Sequence, residues 1–182
     1  MTFEETALKG SYIVSLKPFG DHRGWFVRTF CKNEFAAIGH SKEWVQMNHS
    51  FTADKGTVRG MHFQFGGHKE IKLVRCVSGA VWDVIVDIRK NSPTFLQWVG
   101  VELSAANKKM IYVPEGFAHG FQTLTDDAEL IYHHSAYYNP NHESGLRYND
   151  ESIGINWLLA ITNISERDKN HKLIDHHFTG IE

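Results

Sequence analysis

A mainly β fold, a double-sheet jelly roll or barrel with a few short helices, is what the sequence predicts, and three observations carry that prediction. β-Branched and aromatic residues alternate with polar ones at period two along most of the 182-residue chain. Turn signals close these runs after a few residues, at Ser78-Gly79, Asn91-Ser92-Pro93, Pro114-Glu115-Gly116, Asp126-Asp127 and Asn139-Pro140-Asn141. Helical patterns are few and no βαβ rhythm appears, which removes the parallel-sheet architectures.

Taken in order, Tyr12 to Leu16 and Trp25 to Phe30 read as the first strands. Asn33 is placed to cap a short helix over Glu34 to Ile38, because its side-chain oxygen can accept an unpaired first-turn amide. Gly39 can take the left-handed backbone that ends the helix. Lys72 to Val77 is the next strand. Ala80 to Ile88 follows, with Trp82, Val84 and Val86 on one face and Asp83 and Asp87 on the other. Gln97 to Leu103, Met110 to Val113, Phe117 to Leu124 and Leu130 to His134 complete the strands, and Ser165 can cap a short helix or turn in the tail. No linker, repeat or low-complexity stretch divides the chain, so a single domain over residues 1–182 is expected.

Charge narrows the function classes. Lys plus Arg number 19 against 21 Asp plus Glu, a formal net charge of −2, and no basic run of useful length occurs. That argues against a nucleic-acid surface and leaves room for a local cationic pocket holding a phosphorylated small molecule. The two cysteines, Cys31 and Cys76, lack metal-ligand spacing, and Cys76 lies in an apolar strand pattern, so a reduced cytoplasmic protein is expected. The acidic start has no apolar signal core, and no stretch is long and apolar enough to span a bilayer, so no membrane partner is expected.

The chemistry concentrates in Arg59-Gly60-Met61-His62-Phe63-Gln64 and Lys72-Leu73-Val74-Arg75. A neutral imidazole can take a proton from carbon, and an ammonium can hold the negative charge this creates. The pairing points to enolate chemistry beside a ketone, with His62 as base and Lys72 as stabiliser.

Further segments extend the pattern: Asp21-His22-Arg23-Gly24, Gln46-Met47-Asn48-His49-Ser50, Gly79-Ala80-Val81-Trp82-Asp83-Val84, Val113-Pro114-Glu115-Gly116-Phe117-Ala118-His119-Gly120-Phe121, Tyr132, Tyr137-Tyr138 and Ser165-Glu166-Arg167-Asp168. In this order, over most of the chain, they resemble the dTDP-4-dehydrorhamnose 3,5-epimerase family of nucleotide-sugar epimerases. The resemblance implies a cupin-type jelly roll, usually homodimeric and independent of any cofactor. It would act on a nucleotide-diphosphate 4-keto-6-deoxyhexose and invert C3 and C5. His62 aligns with the family's base, Asp168 with its partner carboxylate, Lys72 with the cation beside the C4 oxygen and Tyr132 with the general acid. Inversion needs two proton-transfer groups on opposite faces, since one alone returns the proton to its original side. Arg23 and Arg59 match phosphate-binding positions, where guanidinium forks suit phosphate oxygens. Gln46, Asn48, His119, Glu143 and Arg167 match pocket-lining positions, and Tyr138 matches the aromatic on which the base stacks.

Two departures bear on the substrate. Arg28 stands where thymidine-specific members usually carry a glutamate that contacts the base. Arginine cannot accept a hydrogen bond, so a pyrimidine presenting acceptors, such as cytosine, would suit it. Phe65-Gly66-Gly67-His68-Lys69-Glu70 replaces a common Pro-Pro pair with a looser turn. Rival readings are a mono-epimerase acting at C3 or C5 on a CDP- or other nucleotide-linked sugar, a non-catalytic sugar-nucleotide-binding cupin, and a metal cupin. The last is disfavoured because His62-Phe63-Gln64 lacks the His-x-His pair, because adjacent His133 and His134 would face opposite ways on a strand, and because His176-His177 lie near the tail.

Overall fold

The computed structural model describes residues 1–182. The chain runs through β1 (Thr2–Glu5), β2 (Tyr12–Ser15), β3 (Phe19–Asp21), β4 (Gly24–Phe26), α1 (Lys32–Phe35), β5 (Gln46–Thr52), β6 (Thr57–Gln64) and β7 (Lys72–Ser78). It continues through β8 (Ala80–Asp87), β9 (Trp98–Ser104), β10 (Lys109–Val113), β11 (Phe117–Thr123), β12 (Ala128–His134), β13 (Glu143–Gly145), β14 (Asn163–Ile164) and α2 (Glu166–Lys169). Two sheets face each other. One has the order β1-β2-β10-β7-β12-β5, the other β13-β6-β11-β8-β9 with β14 added parallel to β6, and β3-β4 forms a separate hairpin.

The main core lies between the sheets and includes Val74, Cys76, Val81, Ile85, Leu103, Ile111, Phe121 and Leu130. A second cluster, with Met61, Phe63, Val84, Val86, Leu146 and Ile153, packs the outer face of the β6-β11-β8 sheet under the C-terminal segment. A third, around Phe35, Leu73, Met110 and Tyr112, covers the other sheet from outside. Strand β8 is therefore buried on both faces. Its Asp83, assigned by alternation to the face opposite Val84, is fully buried inside the sandwich.

Two expected elements differ. Of the stretch Trp25 to Phe30, only Trp25 and Phe26 are strand, as the end of β4. Val27 and Phe30 instead turn onto the third cluster, where the Phe30 and Phe35 rings lie 4.9 Å apart, so packing overrides the local β pattern. The first helix begins at Lys32 with Cys31 as its N-cap, which places Asn33 inside the first turn rather than at the cap. Gly39 ends this region with φ 81°, as expected, and Ser165 caps α2 by accepting the Asp168 N–H.

One irregularity positions the site. On β6 and β11, His62 pairs with His119 but Arg59 pairs with Phe121, so β6 carries one extra residue between them. This β-bulge turns Arg59 and His62, three apart in sequence, to the same side of the sheet. Gly60 and Gly120 make it possible. A Cβ on Gly60 would lie 2.5 Å from the Gly120 Cα, closer than any side chain allows.

Candidate active site

A cavity of about 280 Å³ opens between the sheets at one end of the sandwich. Alternation on three neighbouring strands supplies one wall: Gln46, Asn48 and Ser50 from β5, Tyr132 and His134 from β12, and Lys72 from β7, with Glu70 two residues ahead of it. The facing sheet supplies Arg59, His62 and Gln64 from β6 and His119 from β11. Tyr138 and Glu143 also line it.

His62 is paired through Nε2 with Asp168 Oδ1 at 2.8 Å. The second Asp168 oxygen accepts the Gly60 backbone N–H at 3.1 Å, so the bulge and the capped helix α2 together fix this carboxylate. Burial alone would raise the Asp168 pKa. The His62 hydrogen bond and charge and the Gly60 N–H outweigh it and hold the carboxyl below its ordinary value. Asp168 is thus an anion that keeps the Nε2–H tautomer of His62 and leaves Nδ1 as the basic nitrogen.

Across the cavity, the Tyr132 hydroxyl lies 3.2 Å from Ser50 Oγ. Burial pushes this phenol far above its usual range, so it keeps its proton at neutral pH and is available as a donor. On the same wall Lys72 Nζ lies 3.3 Å from Glu70 Oε1 and 3.5 Å from the His62 carbonyl oxygen. His119 Nε2 sits 3.0 Å from both oxygens of Asp83, whose carboxyl is raised by burial and pulled back by the His119 contact.

Arg59 reaches the Phe51 carbonyl and Thr52 Oγ1 at 3.4 and 3.3 Å. Glu143 is held from two sides, by Arg167 Nη2 at 2.6 Å and by the Tyr138 hydroxyl at 2.8 Å. Buried Gln64, absent from the expected set, accepts the Asn139 N–H at 2.7 Å and donates to the Tyr137 carbonyl at 3.4 Å, tying the Tyr138 loop to β6.

The structure brings together His62, Asp168, Lys72, Tyr132, Arg59, Gln46, Asn48, His119, Tyr138, Glu143 and Arg167. It leaves two expected residues outside. Arg23 lies on the exposed β3-β4 hairpin and pairs with Asp21 at 2.6 Å. Arg28 pairs with Glu34 at 2.9 Å, an anion that also accepts the N-terminal amine, so its guanidinium is engaged away from the cavity. Sequence reasoning missed Glu70 and His134, which two-residue parity with Lys72 and Tyr132 could have found. It also missed His171, whose Nε2 lies 3.8 Å from Asp168 Oδ1 and has no hydrogen-bond partner.

Donor atoms of His62, Asp168 and His171 converge within 4.8 Å, the spacing a metal ion needs. His62 and His119 each have a ring nitrogen facing a carboxylate, Asp168 and Asp83 respectively, which fixes the orientation of the imidazole.

The family model for dTDP-4-dehydrorhamnose 3,5-epimerase matches residues 5–176. The enzyme of that name from Salmonella typhimurium is 47% identical over 173 residues, covering 94% of each chain. The crystal structure of dTDP-6-deoxy-D-glucose-3,5-epimerase from Legionella pneumophila, in complex with dTDP-4-keto-L-rhamnose, superposes with a TM-score of 0.92 at 37% identity, covering 100% of this chain and 98% of that one. A 3'-monoepimerase from Streptomyces bikiniensis, in complex with dTDP-quinovose, superposes at 0.86 and 33% identity, covering 92% and 85%.

Proposed function

Because the chain belongs to the dTDP-4-dehydrorhamnose 3,5-epimerase family, we propose that it inverts C3 and C5 of a dTDP-linked 4-keto-6-deoxyhexose. The observation that carries the mechanism is the placement of two proton-transfer groups on opposite walls of one cavity. These are the His62–Asp168 pair on the β6 sheet and the protonated Tyr132 on the β12 sheet.

His62 takes the proton from the carbon beside the C4 ketone. The bond's electrons pass to the C4 oxygen, which becomes an enolate oxygen held by Lys72. Tyr132 then delivers its proton to the opposite face, and the electrons return to restore the ketone. Solvent recharges the phenol and discharges the imidazolium, so the net change is configuration alone. Arg59 receives the diphosphate and the Tyr138–Glu143–Arg167 cluster receives the base.

The reading extends to a cytoplasmic homodimer. No helix of the chain is long and apolar enough to cross a membrane, and both cysteines are free. Hairpin β3-β4 leaves Phe19, Trp25 and Phe26 exposed around Arg23, an apolar surface that a second copy would cover. Pairing through this hairpin would also account for a phosphate-type arginine set outside its own cavity. Sedimentation should give twice the chain mass, and a stable monomer at working concentration would count against the pairing.

The test of function is NMR of dTDP-4-keto-6-deoxyglucose in deuterated water with the protein added. Deuterium should enter both C3 and C5. Exchange at one carbon would move the assignment to a mono-epimerase, and exchange at neither would remove it.

A further inference from the structure

A one-way chain of hydrogen bonds crosses the wall that carries Lys72. It starts at the Tyr138 backbone N–H, which donates to Gln46 Oε1 at 3.1 Å. Gln46 Nε2 donates to Asn48 Oδ1 at 3.2 Å, Asn48 Nδ2 reaches His134 Nε2 at 3.3 Å, and His134 Nδ1 reaches Glu70 Oε2 at 2.6 Å. The other Glu70 oxygen faces Lys72 Nζ at 3.3 Å. These side chains share one face of the adjacent strands β5, β12 and β7 and the residues leading into β7.

The direction of the chain is forced. A backbone N–H can only donate, so Gln46 must turn its oxygen to Tyr138 and its amide nitrogen to Asn48. Asn48 must then offer its own N–H to His134, whose Nε2 has to be the bare nitrogen. The His134 proton therefore sits on Nδ1 and points at Glu70. A carboxylate only accepts, so the chain ends there with one oxygen left for Lys72. Protonating His134 Nε2 would set two donors face to face. Turning Asn48 and then Gln46 to relieve this only moves the conflict to a backbone N–H that cannot turn.

Lys72 carries three N–H donors. One meets Glu70 and one lies toward the His62 carbonyl, which leaves the third for the cavity. The Lys72, Glu70 and His134 side chains are each only 10–11% exposed, so bulk water competes little for these contacts. We propose that Glu70 is a positioning residue of the reaction, aiming the free Lys72 N–H at the C4 oxygen, and that the chain from Tyr138 through His134 holds Glu70 in place. The proposal rests on the epimerase reading.

A carboxylate this close to Lys72 also offsets the charge that should stabilise an enolate. The two effects predict opposite results for Glu70→Gln. The amide has the same size, but one of its ends donates, so either Lys72 or His134 then faces another donor. If position matters, kcat should fall by about 10- to 100-fold, with KM for the dTDP sugar within about twofold of the unchanged protein. A kcat equal to or above that of the unchanged protein would overturn the proposal. The unchanged protein is run in the same experiment, so its failure to exchange would condemn the epimerase reading instead. Should the glutamine variant fold poorly, Glu70→Asp keeps both acceptors one methylene short, and a kcat loss in the same direction is expected. An undiminished kcat there would equally refute it. Independently of turnover, nitrogen-detected imidazole NMR should show His134 neutral with its proton on Nδ1 at pH 7. A neutral ring protonated on Nε2, or an imidazolium, would break the chain.

Discussion

Replacing His62 with alanine should abolish measurable deuterium entry at both C3 and C5, a loss of at least about 10²–10⁴-fold in rate. Both carbons flank the same ketone, and His62, paired with the Asp168 carboxylate on the wall opposite Tyr132, is the base proposed for each. Water cannot substitute efficiently, because a free hydroxide is scarce at neutral pH and is not held against the substrate. The same variant should bind dTDP with little change, since Arg59, Tyr138, Glu143 and Arg167 are held by contacts that do not involve the imidazole. Calorimetric titration with dTDP beside the exchange assay separates these effects. Turnover retained in the alanine variant would remove His62 as the base, and lost dTDP binding would show that the cavity had collapsed.

Tyr132→Phe should separate exchange from inversion. The phenol supplies a proton to the face opposite His62, whereas washing a proton out to solvent needs only the base. Inversion should fall by about 10²–10⁴-fold while exchange falls much less, read as product formed against deuterium incorporated with retained configuration. Phenylalanine preserves the ring that packs on the main core and gives up a weak contact to Ser50 at 3.2 Å, so the fold should persist. Equal loss of both rates would deny the tyrosine its role as acid.

How much of this was legible beforehand follows from the kind of signal each part leaves. Strands β7, β8, β10, β11 and β12 announce themselves by alternation and are found within a residue or two of their expected bounds. Strand β6 hides because Gly60 and the bulge interrupt its period and because Met61 and Phe63 bury its outer face as well. Asp168 is 106 residues from His62 and sits in a charged run, so no local pattern links them and only the resemblance did. Glu70 and His134 read as ordinary polar residues until the sheet order sets β7 beside β12. Arg23 and Arg28 show the opposite limit: residue type and alignment describe what a guanidinium can bind, but not which surface the folded chain presents it to.

The extra residue in β6 has a consequence for how change can be accepted there. Counted along a regular strand, the phosphate-type cation and the base stand in opposite phase, and the bulge brings them into step. The length of this strand is therefore part of the site, independent of the identity of its residues. One residue gained or lost between Arg59 and His62 would still permit a strand, a sheet and a core. It would send either the cation or the base into the packed layer beneath the C-terminal segment. Substitutions in β6 act on one group at a time, whereas a shift of its frame uncouples holding the substrate from acting on it.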